Sequence, residues 1–332
     1  MLLGREQAVR LFQELPAPLQ IPTLHPDYIW ADAARDPELQ PVVFAYIEGR
    51  DKWIHGFHLS RIANSKHYDI QSPYGYGGPV SSNRDPDFLR RANERYAKWC
   101  IETGVVAEFI RFHPVIQNAD IYSGQAWVDR TTVIVNLNDE DPSRGYRQLT
   151  KRKLKQAISQ EVQTRVVDRD TFAALFPAIY SELMHELEAE SFYHFPAAYF
   201  DALFKSLPSL YLASYLREEV VAAAVFPLGA EGAEYLLGAS NQLGKQAGAM
   251  VSLMHEAIVS LKERGFNWLH LGGGTNGLSD NSLLFFKQGF SKLEGDFMIG
   301  KTVFLPDIYE RWKQEWKKER GKSPDRVLFY RY

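Results

Sequence analysis

The sequence predicts a mixed α/β fold in two domains, and three observations carry that reading. The chain has 332 residues, and at about 150 residues per domain it divides in two. Short apolar runs of strand character alternate with segments of helical periodicity along its whole length. Each half repeats one order, a strand (69–73, 233–239), a loop, a helix (86–103, 250–264) and a second strand (105–112, 266–271). Hydrophobic residues make up 45% of the chain and charged residues 24%, which supports a large core and excludes wholesale disorder.

Residues 1–15 read as a helix with Val9, Leu11, Phe12 and Leu15 as apolar positions. They lack the unbroken apolar core and cleavage site of a signal peptide. Residues 41–47 and 53–60 read as neighbouring strands. Tyr68 to Pro79 passes into the glycine-rich aromatic loop SPYGYGGP. Helix 86–103 has Asp85 as its cap, Pro86 in a first turn that needs no intrahelical N–H, and Gly104 as its stop. Leu89, Ala92, Tyr96 and Trp99 give it a buried face. Strands follow at 105–112, ended by Pro114, and at 131–137.

Residues 139–144 form a polar break, and a helix runs from near it to about residue 159. Arg144, Arg147, Lys151 and Lys155 share one side of that helix, while Leu154 and Ile158 lie on another. Helices are expected at 171–188 and 197–207, strands at 210–216, 219–226 and 233–239, and a loop at 241–249. Helix 250–264, ended by Gly265, leads to strand 266–271, the turn GGGTNG, a short helix 281–288 and a last strand 297–304. The expected domains are therefore 1–143 and 144–305, followed by a basic terminal helix or tail, 306–332, read as solvated.

The net charge of −3 argues against a protein that coats nucleic acid, though not against a local basic patch. The single cysteine, Cys100, permits no internal disulfide and no cysteine-rich metal site. It reads as a small buried hydrophobe. The most apolar run, 220–228, is far short of the roughly 20 residues that cross a bilayer. The acids around His185 lack metal-ligand spacing. No GxxxxGK[ST], HExxH or GxSxG is present, and GGGTNG is not GxGxxG. No metal, no tightly bound cofactor, no DNA and a cytoplasmic location follow as expectations.

Seven strings carry a more specific signal: DIQSPYGYGGP at 69–79, EFIRFHP at 108–114, YRQLTKRKLKQAI at 146–158, YLLGAS at 235–240, SLMHEAIVSLKERGF at 252–266, LHLGGG at 269–274 and FFKQGF at 285–290. In this order they resemble the FemAB-like branch of the GNAT acyltransferase superfamily, which includes peptidoglycan-bridge and polysaccharide-biosynthesis proteins. GGG followed by FKxGF is the most specific pairing. The resemblance implies tandem GNAT-like domains packed around a shared cleft. It implies transfer of an acyl group from an acyl thioester, acyl-CoA or similar, to an amine of a cell-envelope or polysaccharide precursor, near the inner membrane surface. One alternative is a peptidoglycan-bridge aminoacyltransferase using aminoacyl-tRNA. Another is a non-catalytic scaffold that binds an envelope precursor.

Acyl transfer needs a neutral amine, a polarised carbonyl and alignment of the two. The resemblance places a functional lysine at Lys287, where an ammonium can neutralise a phosphate or a developing oxyanion. Glu108, His113, His270 and Asp280 are the candidate general bases. Strand alternation puts Arg111 on the face of Phe109 and His113, with Glu108 on the other, so spacing alone does not pair Glu108 with His113. Gly272, Gly273 and Gly274 permit a close ligand approach or a left-handed turn. Donor contacts are expected at Gly244, Lys245, Gly248 and Ala249, where the start of helix 250–264 offers free N–H groups. Here the sequence departs from the Arg/Gln-x-x-Gly-x-Gly/Ala of acetyl-CoA enzymes, which weakens the CoA reading. Tyr74, Tyr76, Gly77, Gly78 and Arg111 are acceptor candidates. Arg147 and Lys151, with Lys155, form a stripe suited to tRNA or a polyphosphate.

Overall fold

The computed structural model describes residues 1–277 and 280–332. In chain order its elements are β1 (Leu2–Leu3), α1 (Arg5–Gln13), α2 (Pro26–Asp32), β2 (Gln40–Glu48), β3 (Asp51–Arg61), β4 (Tyr68–Gln71), β5 (Gly78–Ser81), α3 (Pro86–Thr103), β6 (Val105–Arg111) and β7 (Gln125–Asn136). They continue with α4 (Gln148–Ser159), β8 (Gln163–Val166), α5 (Arg169–Glu186), α6 (Ala197–Ser206), β9 (Ser209–Leu216), β10 (Glu219–Pro227), β11 (Gly232–Glu234) and β12 (Leu237–Ser240). The last are α7 (Gln242–Ala247), α8 (Ala249–Glu263), β13 (Trp268–Gly273), α9 (Ser282–Lys287), β14 (Leu293–Val303) and α10 (Pro306–Arg320). No described helix is long and apolar enough to cross a membrane.

Two compact units result, one of residues 1–129 with 297–332, the other of residues 130–296. The expected cuts after 143 and 305 thus fall inside the second and first units respectively. The physical reason is that β14 returns to the first unit, where Ile299–Val303 pairs antiparallel with Arg111–Ala107 of β6.

In the first unit, β1, β2, β3, β4, β6 and β14 lie side by side, with β5 on the other part of β3. β4 and β6 are parallel and are joined through α3. α3 follows its sequence signals closely: Asp85 accepts the Phe88 amide, and Gly104 closes it at φ +82°. Its buried face, Phe88, Ala92, Tyr96 and Cys100, packs on Phe44, Trp53, Phe57 and Ile110. The C-terminal segment is not a solvated tail. Tyr309 is buried, and Trp312 and Trp316 pack with Val106, Ala107, Leu328 and Phe329. Ile308, Tyr309, Trp312 and Trp316 recur at helical spacing, a stripe hidden among the charges. Arg331 then clamps the buried Asp69 carboxylate through two hydrogen bonds of 2.7 and 2.6 Å.

The second unit has two sheets. β13 lies between β7, antiparallel, and β11, parallel. β12, β10, β9 and β8 form an antiparallel sheet. α8 connects β12 to β13 and buries Val251, Leu253, Met254, Ala257, Ile258 and Leu261 in the core with Phe226, Leu269, Leu271 and Phe290. The strand expected at 233–239 is two strands. Ala233 faces Leu269 of β13, whereas Leu237 faces Val225 of β10. At the crossing, the Tyr235 amide donates to His270 O (2.9 Å) and the next amide, Leu236, donates to Val225 O (3.2 Å). The two sheets diverge at this one peptide. The segment expected as a loop at 241–249 contains α7, because Asn241 accepts the Gly244 amide and Gly248 ends the turn at φ +77°.

Candidate functional site

The best-formed constellation in the second unit surrounds Lys287. β13 carries a bulge against β7 between His270 and Gly272, and Gly272 sits at φ +75°. Such a bulge re-aims the end of a strand. Its last residues approach neighbours that exclude a side chain. A Cβ on Gly273 would lie 2.8 Å from Thr131 O, and one on Gly274 would lie 2.4 Å from the Asn281 amide group. Arg130 donates to Gly274 O (3.0 Å). Asn281 caps α9 by accepting the Leu284 amide, while its own NH2 donates to Thr275 and Asn276. Turn and helix are thereby tied together.

α9 then points Lys287 inward. Its Nζ donates to Gly273 O at 2.7 Å and lies 5.5 Å from the Tyr235 ring centroid. The residue is 6% exposed, and no carboxylate pairs with it among the described residues. Burial alone drives its pKa from 10.5 to about 7. An ammonium has three N–H donors, and among the described residues Gly273 O is the one acceptor of Lys287. The rest of FFKQGF fixes the helix. Phe286 and Phe290 pack edge to face in the core. Gly289 lets Thr150 approach, since a Cβ there would be 2.2 Å from Thr150 Oγ1.

Tyr235, Arg130 and Asn281 escaped the sequence reading. Tyr235 stood in the YLLGAS string, but its placement over Lys287 depends on the sheet crossing. Burial raises its pKa to about 12, so it is a neutral phenol at physiological pH. Of the expected bases in this unit, His270 is buried in β13 beside Glu234 of β11, their ligand atoms within 4.8 Å. Asp280 is exposed in the turn before α9.

The expected donor contacts are occupied by packing. A Cβ on Gly244 would lie 2.2 Å from Val221 O. Lys245 pairs with Glu186 at 2.7 Å, Ala249 is fully buried, and the α4 backbone at Lys153 O comes within 3.0 Å of the Cβ position of Gly248. The start of α8 is therefore packed against α4. At the start of α4, Arg147 stacks over Phe285 (5.1 Å) and donates to Gln288, and on the helix Lys151 donates to Arg144 O.

In the first unit, Glu108 and His113 have separate surroundings. Buried Glu108 accepts a 2.7 Å hydrogen bond from Tyr96 and has His55 Nε2 at 3.7 Å. The His113 amide donates to Asn118 Oδ1 (2.8 Å), and its ring meets Tyr76 edge to face. Asn118 also donates to Gly77 O and Pro79 O, pinning the SPYGYGGP loop. Gly78, at φ +90°, has Phe112 2.8 Å from its Cβ position, so close packing accounts for it. The Tyr74 amide donates to Asp32, and its carbonyl accepts from Tyr28. Arg111 donates to Ser72 O and Pro73 O over the Phe109 ring. Burial, with Arg35 nearby, lowers its pKa.

No protein-family model matches the chain, and no curated protein sequence matches it. Solved structures do resemble it. The crystal structure of FemX aligns at TM-score 0.71 and 10% identity, over 93% of this chain and 98% of that one. The C-terminal domain of a putative lysylphosphatidylglycerol synthetase from Agrobacterium fabrum aligns at 0.61 and 12%, over 95% and 98%. A tandem GNAT protein from the clavulanic acid biosynthesis pathway aligns at 0.50 and 8%, over 92% and 98%. The chain has the mixed α/β fold of tandem GNAT-like lobes.

Proposed function

We propose that this protein is an aminoacyltransferase that moves an aminoacyl group from an activated ester, aminoacyl-tRNA, to an amine of a cell-envelope precursor. The observation that carries the reading is Lys287, a buried amine with no carboxylate partner among the described residues, held at a glycine-rich strand end. The acceptor amine attacks the ester carbonyl, a C–N bond forms, and the C–O bond to the ribose breaks. Negative charge grows on the carbonyl oxygen and then on the departing oxygen. A charged Lys287 stabilises either one, and its lowered pKa suits it to pass a proton to the departing oxygen and to take up the one the attacking nitrogen sheds, which leaves amide, free hydroxyl and a restored lysine. Gly272, at φ +75°, turns the strand end so that Gly273 O holds the lysine, and the Tyr235 ring lies against its ammonium.

The choice of an ester over acyl-CoA has a structural basis. A pyrophosphate cradle needs a loop with open N–H groups, and here that segment is a capped helix, with Lys245 committed to Glu186 and the α8 start packed by α4. The likeness to FemX, and to a domain named for joining lysine to phosphatidylglycerol, supports the same choice.

Calorimetric titration of the purified chain with charged tRNA and with acetyl-CoA tests the reading. Charged tRNA is expected to bind and acetyl-CoA is not. Binding of acetyl-CoA alone would restore the thioester donor. Binding of neither would favour a scaffold for an envelope precursor.

A further inference from the structure

α4 concentrates charge of one sign in a chain whose net charge is −3. Its twelve residues include Lys151, Arg152, Lys153 and Lys155 and no acid. None of the four is paired with a carboxylate among the described residues. Thr150, Leu154 and Ala157 face the unit's interior, so the cations are displayed on the outside of a helix that is already anchored.

Apolar side chains flank these cations in water: Leu149 lies at one edge of the exposed arc and, nine residues on, Ile158 at the other, one turn from Lys155 and not buried with Leu154 as expected. Ile158, 68% exposed, is the most exposed large hydrophobic residue among those described. Leu149 is exposed in the first turn. Phe285, 53% exposed, lies beneath the Arg147 guanidinium just before the helix begins. Leu243 is exposed on α7, one turn from Gln246, whose carbonyl accepts a 2.7 Å hydrogen bond from Gln156 of α4.

We propose that the α4 face is a docking surface for an anionic lipid bilayer. Cations alone would suit any polyanion, but an RNA backbone offers the aliphatic side chains of Leu149, Ile158 and Leu243 nothing to bury against. The headgroup region satisfies both classes: phosphates meet the lysines and arginine, and the apolar side chains reach the acyl boundary. Phe285 is two residues from Lys287 on α9, so a docked protein holds the Lys287 site close to the lipid surface. The surface is defined independently of the transfer reaction, and its test needs no turnover.

The test is flotation of the full chain with vesicles of phosphatidylcholine alone and of phosphatidylcholine mixed with phosphatidylglycerol. Binding to the mixed vesicles only is expected. Arg152→Gln with Lys155→Gln should weaken it about fivefold per charge removed, and less so in high salt. Leu149→Ser with Ile158→Ser should weaken it at every salt concentration. All four positions are exposed or at the helix surface, and unchanged thermal melting confirms folding. Equal binding to neutral vesicles, or binding unmoved by both pairs, overturns the proposal. Absence of vesicle binding overturns it too. If the Arg152 and Lys155 pair is then needed to retard tRNA in a gel, the face belongs to RNA instead.

Discussion

Replacing Lys287 by methionine keeps an apolar stem of similar length and removes the charge. The buried ammonium is shifted from 10.5 to about 7, and at about 1.4 kcal/mol per unit its burial costs the folded state about 5 kcal/mol. The substitution also strips Gly273 O of its 2.7 Å partner, a loss of about 1–3 kcal/mol. Lys287→Met should therefore be the more stable protein at pH 6, by about 2–4 kcal/mol. The sign depends on pH. Below about pH 7 the lysine is charged in both folded and unfolded chains, and the full penalty applies. Between about 7 and 10.5 the unfolded chain holds the proton and the folded one does not, so the wild type gains stability as pH rises. Near pH 10 the variant's advantage should be gone and the lost hydrogen bond should show. Urea melts of both proteins at pH 6, 8 and 10 measure this. A stability difference independent of pH would refute the reasoning, as would a variant less stable at pH 6. In a transfer assay the same variant should lose at least about 100-fold in kcat. A rise in KM at constant kcat would mean that the lysine holds donor phosphate equally in ground and transition states.

Three further outcomes follow from the geometry. An anionic donor that pairs with Lys287 must raise its pKa, so binding should take up a proton above about pH 7 and weaken as pH rises; calorimetry in buffers of different ionisation enthalpy counts that proton. Gly289→Ala places a methyl 2.2 Å from Thr150 Oγ1 and should cost about 1–3 kcal/mol, part of it recovered by Thr150→Ala in the same chain. Asn118→Ala leaves Gly77 O, Pro79 O and the His113 amide without their partner; it should lower stability by about 3 kcal/mol in denaturant melts and loosen the SPYGYGGP loop to proteolysis.

Local signals are readable where a cap and a stop flank a long periodic helix. Asp85, Pro86 and Gly104 delimit α3 without help from anything distant. The FFKQGF string likewise encodes an inward lysine, two core aromatics and a close-packing glycine within six residues. What stayed hidden depends on partners far away in sequence. Nothing near residue 235 says that one strand will serve two sheets, because both candidate partners, β10 and β13, have the same apolar character. Nothing near 297 says that β14 will seek β6, almost two hundred residues earlier. The tail reads as solvated because its charges outnumber its aromatic stripe, although only the stripe decides which side is buried. The expected donor loop is α7, because Asn241 and Gly248, residue types that loops also favour, here cap and end a helical turn.

The return of the chain to its first unit sets an order of assembly. Residues 130–296 are contiguous and complete as soon as they leave the ribosome. The first unit must wait for residues 297–332 to supply β14 against β6 and α10 over Val106 and Ala107. At a synthesis rate of about 5–20 residues per second, the earlier-made half spends some ten seconds or more with that sheet edge and apolar face uncovered. The second unit is thus the natural folding nucleus of the polypeptide, and the N-terminal unit, first to emerge, is the last to close.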